Sequence, residues 1–260
     1  MSAFRVRYGP WAVIAGASEG IGAAFATALA ARGLNLLLLA RRQEPLDALA
    51  ATLRGVEVRT ASVDLGGPDL ASRISELTQG LEVGLVVASA ALSLTAPFLE
   101  LELEQVLRTV DLNVRAPLVL AHLLGHPMAS RGRGGLVFMS SVAGIIGSPR
   151  VATYAGTKAF ALGFGDSLWA ELEPRGVDVV TCAAGPTRTP TYSAVQSASF
   201  PPVMEAQDVV EAALGALGQR PRVVPGWFNR AVVALMAHLP RAVALRMIER
   251  QTRKYSPRST

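Results

Sequence analysis

The chain has 260 residues, half of them apolar, with a formal net charge of +5 and a pI near 10. This composition argues against a disordered chain, and the single cysteine, Cys182, excludes a disulfide within the chain. Positive charge is not gathered into one stripe, so we expect no nucleic-acid interface. The first ten residues lack the apolar core of a signal peptide, and no apolar run reaches the ~18 residues of a membrane span. We therefore expect a cytoplasmic protein with Cys182 in its core.

Short apolar runs alternate with longer helical patterns, which is typical of βαβ units and a parallel sheet. Most of the strand-like runs are continuously apolar, as expected when helices cover both faces. The predicted strands are residues 11–15, 34–40, 56–61, 83–88, 135–139, 177–183 and 222–225. The predicted helices are residues 21–32, 44–54, 70–79, 102–131, 153–173 and 205–219. The pattern predicts one α/β domain with a single doubly wound, Rossmann-type sheet over residues 1–225.

Two segments interrupt the alternation. Residues 184–202 follow a strand and are rich in Pro, Thr, Ser and Ala, so we expect a ligand-facing loop there. Residues 226–254 are apolar and rich in arginine, and they are predicted as two helices separated at Pro240. We interpret residues 226–260 as a helical extension of the same domain that packs on it or contacts another subunit. Contact with a membrane surface is the less favoured alternative.

A glycine-rich turn follows the first strand, with the sequence Gly16-Ala17-Ser18-Glu19-Gly20-Ile21-Gly22. A helix N-terminus offers unpaired N–H groups and partial positive charge to phosphates, and glycines let a pyrophosphate approach the backbone. The spacing differs from the G-x-G-x-x-G fingerprint, and alone the turn could be structural. Between a strand and a helix, it predicts a dinucleotide site. The candidate contacts are Gly16, Ser18, Glu19, Gly20, Ile21 and Gly22.

The second strand ends at Ala40 and is followed by Arg41 and Arg42. An NAD site usually has a carboxylate here for the ribose 2′-hydroxyl, whereas two guanidinium groups suit a 2′-phosphate. The alternative is a solvated arginine pair. We therefore predict NADP(H). After the third strand, Asp64 precedes Leu65, and it either accepts a bond from the adenine amino group or caps a helix beginning near residue 68. From the residues alone, the cap is favoured.

Tyr154 and Lys158 lie four residues apart in a helical pattern, which places both side chains on one face. A phenol titrates near pH ~10, and a neighbouring ammonium lowers its pKa toward a working range. This spacing occurs by chance in many helices. Upstream, Ser140 and Ser141 end a buried strand at the edge of the sheet that faces the ligand crevice. They could be turn formers, or Ser141 could hold a carbonyl oxygen that Tyr154 protonates.

In their order and spacing, these motifs resemble those of the short-chain dehydrogenase/reductase family over nearly the whole chain. They are Gly16-x3-Gly20-Ile21-Gly22, Asn113 within Asp111-Leu112-Asn113-Val114, Ser141 thirteen residues before Tyr154, and Tyr154-x3-Lys158. The resemblance implies hydride transfer between a nicotinamide and a carbonyl or carbinol carbon. It implies Tyr154 as general acid–base, with Ser141 stabilising the substrate oxygen.

The resemblance further implies that Lys158 binds the nicotinamide ribose while lowering the pKa of Tyr154. It implies that Asn113 orders a water-linked proton relay. Thr187 and Thr189, in a turn similar to the family's nicotinamide-contacting turn, become candidates for the carboxamide and the diphosphate. The tail resembles the ketoacyl- and steroid-reductase-like branch in general pattern only.

The chain departs from the family after the fourth strand, where Ala88-Ser89-Ala90-Ala91 replaces the usual Asn-Asn-Ala-Gly. In the family this turn braces the sheet and brings the backbone to the cofactor ribose. Ala90 is therefore kept as a candidate cofactor contact, and the local geometry is open. The departure motivates one alternative function, a catalytically idle NADP(H)-binding sensor or scaffold. A dehydratase or isomerase step on the same fold is a third hypothesis.

The side chains predicted to face the substrate are mostly apolar, which suits a small lipophilic ketone, fatty-acyl or steroid-like alcohol. They are Leu92, Leu94, Ile145, Ile146, Thr191, Tyr192 and Phe200, with Arg150 and Arg188 able to steer an anionic end. His122 and His126 lie four apart without a third ligand, so no metal is predicted. The resemblance implies a homodimer or homotetramer through the helices 102–131 and 153–173.

Overall fold

The computed structural model describes residues 2–190 and 203–252, with side chains through residue 250. Three of the residues predicted to face the substrate, Thr191, Tyr192 and Phe200, lie outside the described residues. So does the end of the tail from residue 253. Among the helices that the structure does describe, none is both long and apolar enough to cross a bilayer.

Seven parallel strands form the central sheet, in the order β3-β2-β1-β4-β5-β6-β9. The predicted doubly wound α/β architecture is confirmed. Strand order reverses between β1 and β4, where ligands bind in sheets of this kind. A separate two-stranded ribbon pairs β7 with β8. The strands are β1 Trp11–Ala15, β2 Asn35–Ala40, β3 Val58–Ser62, β4 Val83–Ala88, β5 Gly134–Ser141, β6 Val177–Ala184, β7 Thr187–Arg188, β8 Met204–Glu205 and β9 Arg222–Val223.

Helices cover both faces of the sheet. They are α1 Ala3–Tyr8, α2 Gly20–Ala31, α3 Gln43–Thr52, α4 Leu70–Leu77, α5 Leu103–Val110, α6 Ala116–Arg131, α7 Val142–Ile146, α8 Ala152–Leu172, α9 Ala206–Ala216, α10 Trp227–His238 and α11 Arg241–Thr252. The tail helices α10 and α11 are separated at Pro240, as predicted. The short helices α1 and α7 were not predicted, because five or six residues are too few to show a helical period.

The long helix predicted over residues 102–131 is interrupted. Between α5 and α6 lies the π-helical segment Asp111–Arg115, in which Asn113 is buried. A π turn inside an α-helix is rare and is frequent at functional sites. Glu102 and Gln105 form a capping box that starts α5. Gly132 ends α6 in the left-handed conformation, with φ of 71°.

Two apolar clusters lie on opposite faces of the sheet, and the buried strand β2 supplies both. Leu36 and Leu38 pack in one cluster, whereas Leu37 and Leu39 pack in the other, as the twofold period of a strand requires. All four side chains are buried. Cys182 belongs to the first cluster, and burial raises the pKa of its thiol to about 12. It is therefore a core residue, as its sequence context suggested.

Helix α1 is attached to the end of the sheet opposite the ligand crevice. Arg7 Nη2 donates to Asp178 Oδ1 at 2.7 Å, and the hydroxyl of Tyr8 donates to Asp178 Oδ2 at 2.6 Å. Asp178 lies near the start of β6 and is almost fully buried. Burial and the bond to Asp178 raise the pKa of the Tyr8 phenol. These bonds fix the N-terminal segment without involving the opposite edge of the sheet.

Candidate active site

A cavity of about 600 Å³ opens at the carboxyl ends of the parallel strands. Most of the residues predicted to bind cofactor or act on substrate line it, although they come from distant parts of the chain. They are Gly16, Ser18, Glu19, Gly20, Ile21, Gly22, Arg41, Arg42, Leu65, Ala90, Ser141, Tyr154, Lys158, Thr187 and Thr189. Asp64 and Asn113 lie outside the cavity wall. Ser140 lines it too, and so do Ser93, Thr95 and Met139, which no sequence motif indicates.

The glycines of the first turn are required by close approaches of the backbone. Gly16 has φ of 90°, and a Cβ there would lie 2.6 Å from the Cα of Ala90. A Cβ on Gly22 would lie 1.9 Å from the carbonyl oxygen of Gly16. At Gly20, which begins α2, φ is 58° and a Cβ would approach Thr189. The helix N-terminus thus faces the cavity with no side chain over it, as pyrophosphate binding requires.

The unusual turn Ala88-Ser89-Ala90-Ala91 is braced by its backbone. The N–H groups of Ser89 and Ala90 both donate to the carbonyl oxygen of Ala15, at 2.9 and 2.8 Å. Ala15 ends β1, so these bonds join the ends of β1 and β4 beneath Gly16. The turn holds the sheet together at the crevice without the two asparagine side chains of the family motif.

Arg41 and Arg42 both line the cavity, beyond the end of β2. Arg42 Nη2 donates to Glu19 Oε2 at 2.7 Å, and both side chains of this ion pair are exposed. The guanidinium of Arg42 is therefore paired with a carboxylate of the glycine turn, whereas the charge of Arg41 makes a minor contribution to the lowered pKa of Asp64. The sequence did not indicate the pairing of Glu19 with Arg42.

Asp64 does not cap a helix. The helix after it, α4, begins at Leu70 with Asp69 at its N-cap position, five residues further along than the favoured interpretation required. Asp64 instead accepts a bond from the Gly66 N–H at 3.1 Å and pairs with Arg108. The bond from Arg108 is the main reason that the pKa of Asp64 is lowered. A contact between Asp64 and adenine stays a prediction.

Tyr154, Ser141 and Lys158 meet on one wall of the cavity. Ser141 ends β5 and also accepts the Ala143 N–H at 3.2 Å, which starts α7. Tyr154 lies in the first turn of α8, and its side chain lines the cavity together with Ser141. Burial raises the pKa of the Tyr154 phenol, and the neighbouring Ser141 hydroxyl opposes that rise. At neutral pH the phenol is therefore protonated and can donate.

Lys158 is buried behind the tyrosine, with 4% of its surface exposed. Its Nζ donates to the carbonyl oxygen of Met139 at 2.7 Å and lies 5.5 Å from the centre of the Tyr154 ring. Desolvation lowers the pKa of Lys158 to about 8. Ser140 Oγ donates to the carbonyl oxygen of Lys158 at 2.7 Å, so strand β5 holds both ends of this residue. The pKa of Tyr154 is raised overall, and Ser141 supplies the contribution that opposes the rise, while a lowering of this pKa by Lys158 stays a prediction.

Asn113 lies near the catalytic helix but not on the cavity wall. Its Oδ1 accepts the Leu92 N–H at 2.8 Å, and its Nδ2 donates to the Leu92 carbonyl oxygen at 2.9 Å and to Thr157 Oγ1 at 3.0 Å. An amide nitrogen has two N–H groups, and both are used here. These two bonds leave the side-chain amide no free N–H for water. A proton relay through Asn113 stays a prediction.

The turn after β6 contributes two threonines to the cavity. Thr187 is almost fully buried, and its hydroxyl donates to the Gly185 carbonyl oxygen at 2.9 Å. Thr189 lies against Gly20 at the N-terminus of α2. Both threonines line the cavity, with Thr189 beside the glycine turn, and their roles toward the carboxamide and the diphosphate stay predictions.

The apolar side chains predicted to face the substrate do not line the cavity in the described part of the chain. Ala91, Ser93 and Thr95 form the wall instead of Leu92 and Leu94, and Val142 lines it instead of Ile145 and Ile146. Alternate residues of an extended segment point in opposite directions, and the sequence did not reveal which set faces inward.

The two arginines near this side have other structural roles. Arg150 has φ of 68°, and its carbonyl oxygen accepts the Ala96 N–H at 2.9 Å. Arg188 pairs with Glu205 across the β7–β8 ribbon, with 2.7 Å between Nε and Oε1. The histidine rings of His122 and His126 contact each other with 4.8 Å between their centres. Within residues 2–190 and 203–250, no three His, Cys, Asp or Glu side chains are grouped as metal ligands.

Comparison with known proteins agrees with this geometry. Residues 10–199 match the family model described as short chain dehydrogenase. A very-long-chain 3-oxoacyl-CoA reductase of Neurospora crassa is 33% identical over 86% of this chain and 71% of its own length. A 7beta-hydroxysteroid dehydrogenase of Clostridium sardiniense is 31% identical over 87% of this chain and 89% of its own. The chain spans only 53% of the length of a Podospora anserina 3-oxoacyl-CoA reductase that it also matches.

Solved structures show the same relationship. A 7beta-hydroxysteroid dehydrogenase superposes with a TM-score of 0.90 at 29% identity, covering 94% of this chain and 98% of the other. A short-chain dehydrogenase from Sphingobium yanoikuyae, solved in complex with NADPH, has a TM-score of 0.77 at 30% identity and covers 89% and 96% of the two chains. The chain therefore belongs to the short-chain dehydrogenase/reductase family of oxidoreductases, which act on carbonyl and alcohol groups.

Proposed function

We propose that the protein is an NADP(H)-dependent oxidoreductase that interconverts a ketone and a secondary alcohol, with Tyr154 as the general acid–base. The observation that carries this proposal is that Tyr154, Ser141 and buried Lys158 line the same cavity as the glycine turn, with Lys158 Nζ 5.5 Å from the centre of the Tyr154 ring. The proton donor and the predicted phosphate site thus face one continuous space.

The cavity fits a dinucleotide. Gly16 and Gly22 leave the N-terminus of α2 uncovered, and a side chain on either would collide with the backbone. Thr189 lies beside this turn, and Thr187 lines the same cavity. When bound, the nicotinamide supplies or accepts the hydride. The family resemblance supports contacts of Lys158 and Tyr154 with the nicotinamide ribose, and both side chains line the cavity.

The acid–base roles follow from the environments of the two hydroxyls. In the reductive direction, Tyr154 donates its proton to the oxygen on which negative charge develops, and Ser141 donates a hydrogen bond to the same oxygen. The raised pKa of Tyr154 keeps the phenol protonated before the reaction. In the oxidative direction the phenolate is the base, so oxidation is favoured at higher pH.

NADP(H) is preferred over NAD(H) in this proposal because two arginines and no carboxylate follow β2. Arg41 and Arg42 both line the cavity, and a 2′-phosphate would compete with Glu19 for Arg42. A structural relative with NADPH bound supports the same preference.

A lipophilic small-molecule ketone or its alcohol is the proposed substrate. The support comes from the hydroxysteroid dehydrogenases, whose whole length the chain nearly spans, and from an acyl-CoA reductase relative. Ala91 and Val142 offer the substrate an apolar surface, with Ser93 and Thr95 as hydrogen-bonding positions. We also propose a cytoplasmic homodimer or homotetramer. Exposed Leu103 and Leu107 on α5, one of the predicted interface helices, support the oligomer.

The alternative, a catalytically idle NADP(H)-binding protein, was motivated by the altered turn after β4. The bonds from Ser89 and Ala90 to Ala15 brace that turn through its backbone. The altered sequence of the turn therefore does not by itself favour an inactive protein.

The deciding experiment is a screen of NADPH oxidation over aliphatic, aromatic, steroidal and acyl ketones. Tyr154→Phe should lower turnover by about 10²–10⁴-fold while NADPH still binds. Tyr8→Phe is the matched control, because Tyr8 is also buried and hydrogen-bonded but lies at the opposite end of the sheet. Tight NADPH binding without turnover on any ketone class would instead establish the idle binder.

A further inference from the structure

The segment after β4 forms one wall of the cavity and is attached to the rest of the protein at few points. Ala91, Ser93 and Thr95 line the cavity, and Leu92 lies between the first two. Both backbone polar groups of Leu92 are bonded to the side chain of Asn113. Four residues further on, the Ala96 N–H donates to the carbonyl oxygen of Arg150. The position of this wall therefore depends on how Asn113 is held.

Asn113 is in turn held by Thr157. The Thr157 hydroxyl accepts a hydrogen bond from Asn113 Nδ2 at 3.0 Å and donates one to the carbonyl oxygen of Tyr154 at 2.7 Å. Thr157 is 4% exposed and Asn113 is 3% exposed, so water does not take the place of either partner. The side chains of Thr157 and Asn113, with the backbone groups of Tyr154 and Leu92, form one chain of bonds from Tyr154 to Leu92.

The bond from Thr157 also fixes which way the Asn113 amide faces. The backbone of Leu92 presents one donor and one acceptor. Asn113 must therefore place Oδ1 against the Leu92 N–H and Nδ2 against the Leu92 carbonyl oxygen. A hydroxyl whose proton goes to Tyr154 can only accept from Asn113, which requires the same orientation of the amide. A threonine within a helix often donates to a carbonyl oxygen of the same helix, as Thr157 does to Tyr154. The bond that Thr157 accepts from Asn113 connects α8 to another element.

We propose that Thr157 is a positioning residue that, through Asn113, sets the wall Ala91–Thr95 relative to the phenol of Tyr154. Thr157 directly precedes Lys158 in α8, yet its hydroxyl bonds Asn113 and the Tyr154 carbonyl oxygen and no residue of the glycine turn. Its loss should therefore impair substrate binding and leave dinucleotide binding intact. The kinetic part of this inference rests on the proposed function; the effect on the wall itself does not.

The test compares Thr157→Val with Thr157→Ser and with Thr109→Val as a matched control. Thr109 is 1% exposed and lies on α5, and among the described residues its hydroxyl bonds the Gln105 carbonyl oxygen of its own helix alone. The first measurement is hydrogen exchange by mass spectrometry on peptides covering residues 89–97. Thr157→Val should speed exchange of the Leu92 amide by about tenfold, because its acceptor loses a support. Thr157→Ser and Thr109→Val should leave it unchanged.

The second measurement is steady-state kinetics with a ketone identified in the NADPH screen. Thr157→Val should raise KM about threefold to tenfold, the effect of one net hydrogen bond, with a smaller change in kcat. The Kd for NADPH should stay the same. In an Asn113→Ala background, Thr157→Val should have no further effect on KM, because its influence passes through Asn113.

Unchanged exchange at Leu92 in a folded Thr157→Val protein would overturn the inference. So would a loss of NADPH affinity equal to the rise in KM, since that would indicate general damage to α8. If wild-type protein turns over no ketone, the proposed function fails, but the exchange measurement still decides whether Thr157 positions the wall.

Discussion

Lys158 Nζ donates to the carbonyl oxygen of Met139 at 2.7 Å, within the buried wall formed by β5 and α8. The bond holds an amine in a place from which water is excluded. Because the charged form loses hydration there, the pKa of Lys158 falls to about 8 from an ordinary value of 10.5. The folded protein therefore gives up the lysine proton at lower pH than the unfolded chain does.

The first prediction concerns the pH dependence of stability. Between pH 8 and 10.5, the unfolded chain binds more protons at Lys158 than the folded protein does, so this residue's contribution to stability rises with pH. Below pH 8 its contribution is constant and unfavourable. The free energy of unfolding of wild type minus that of Lys158→Met should rise by at most about 1.4 kcal/mol per pH unit over this window. Urea unfolding at pH 7.5, 8.5 and 9.5 measures the slope, and a flat or falling difference would contradict the prediction.

The second prediction concerns the glycine turn. Gly16→Ala should lower the free energy of unfolding by about 1–3 kcal/mol, because φ is 90° and the new methyl group meets Ala90. It should also abolish NADPH binding, since the turn must move. Gly215→Ala is the matched control on the exposed side of α9, where a Cβ meets nothing within 4 Å. The free energy of unfolding of that variant should rise by about 0.5 kcal/mol, because alanine has a higher helix propensity than glycine. Calorimetry and NADPH titration report both effects.

The third prediction concerns cofactor choice. Arg41→Ala should weaken NADPH binding by about tenfold or more, since a charged hydrogen bond to the 2′-phosphate is lost. NADH lacks that phosphate, so its Kd should barely change. Fluorescence titration with both cofactors gives the ratio. Equal losses for NADPH and NADH would show that Arg41 acts on a part that the two molecules share.

Glu19→Gln is the fourth prediction, with the opposite sign. The carboxylate of Glu19 binds Arg42 at 2.7 Å and competes with a phosphate for that guanidinium. Removing its charge should tighten NADPH binding by at most about fivefold, because exposed ion pairs are weak. The Kd for NADH should stay the same, because NADH has no 2′-phosphate for Arg42 to bind. Weaker NADPH binding in this variant would mean that Glu19 orients Arg42 for the phosphate rather than competing with it.

The fifth prediction concerns stability away from the site. Asp178→Ala removes the partner of Arg7 and leaves the buried Tyr8 hydroxyl unbonded, which should cost about 2 kcal/mol of unfolding free energy. Glu76→Ala breaks an exposed pair with Arg73 on α4 and should cost less than about 0.5 kcal/mol. Both variants should keep wild-type KM. A change in KM for Asp178→Ala would connect the N-terminal helix to the distant cavity.

Much of the fold could be predicted because its signals are local and redundant. Buried parallel strands are apolar on both faces, so runs such as those around Leu37 and Val180 are recognisable without any partner. The motifs of the site are equally local. Gly16 and Gly22 are separated by a fixed spacing, and so are Tyr154 and Lys158. The cavity brings these residues together because the glycine turn follows the carboxyl end of β1, while α8 packs on β5 and β6 and carries Tyr154 and Lys158 to the same edge of the sheet.

The errors concern features that depend on three-dimensional neighbours. In an extended segment, alternate side chains point in opposite directions, and Ser93 rather than Leu92 faces the cavity. The sequence does not show which set faces inward, because this segment is not paired in a sheet. The sequence favours Asp64 as a helix cap because its true partner, Arg108, is 44 residues away and leaves no local signal. The raised pKa of Tyr154 reflects burial by several elements at once. Thr157 could have been noticed, since threonine is a poor helix former directly beside Lys158.

The π-helical segment Asp111–Arg115 changes the angular phase of the long helix that contains it. A π turn holds about one residue more than an α turn, so the side chains that follow are rotated by roughly 100°. This rotation brings Leu120, Leu124 and Met128 of α6 onto the sheet while Asn113 faces Leu92. Deleting a single residue here would restore an ordinary helix and swing those three side chains off the core. The number of residues in this turn is therefore as much a part of the site as their chemistry.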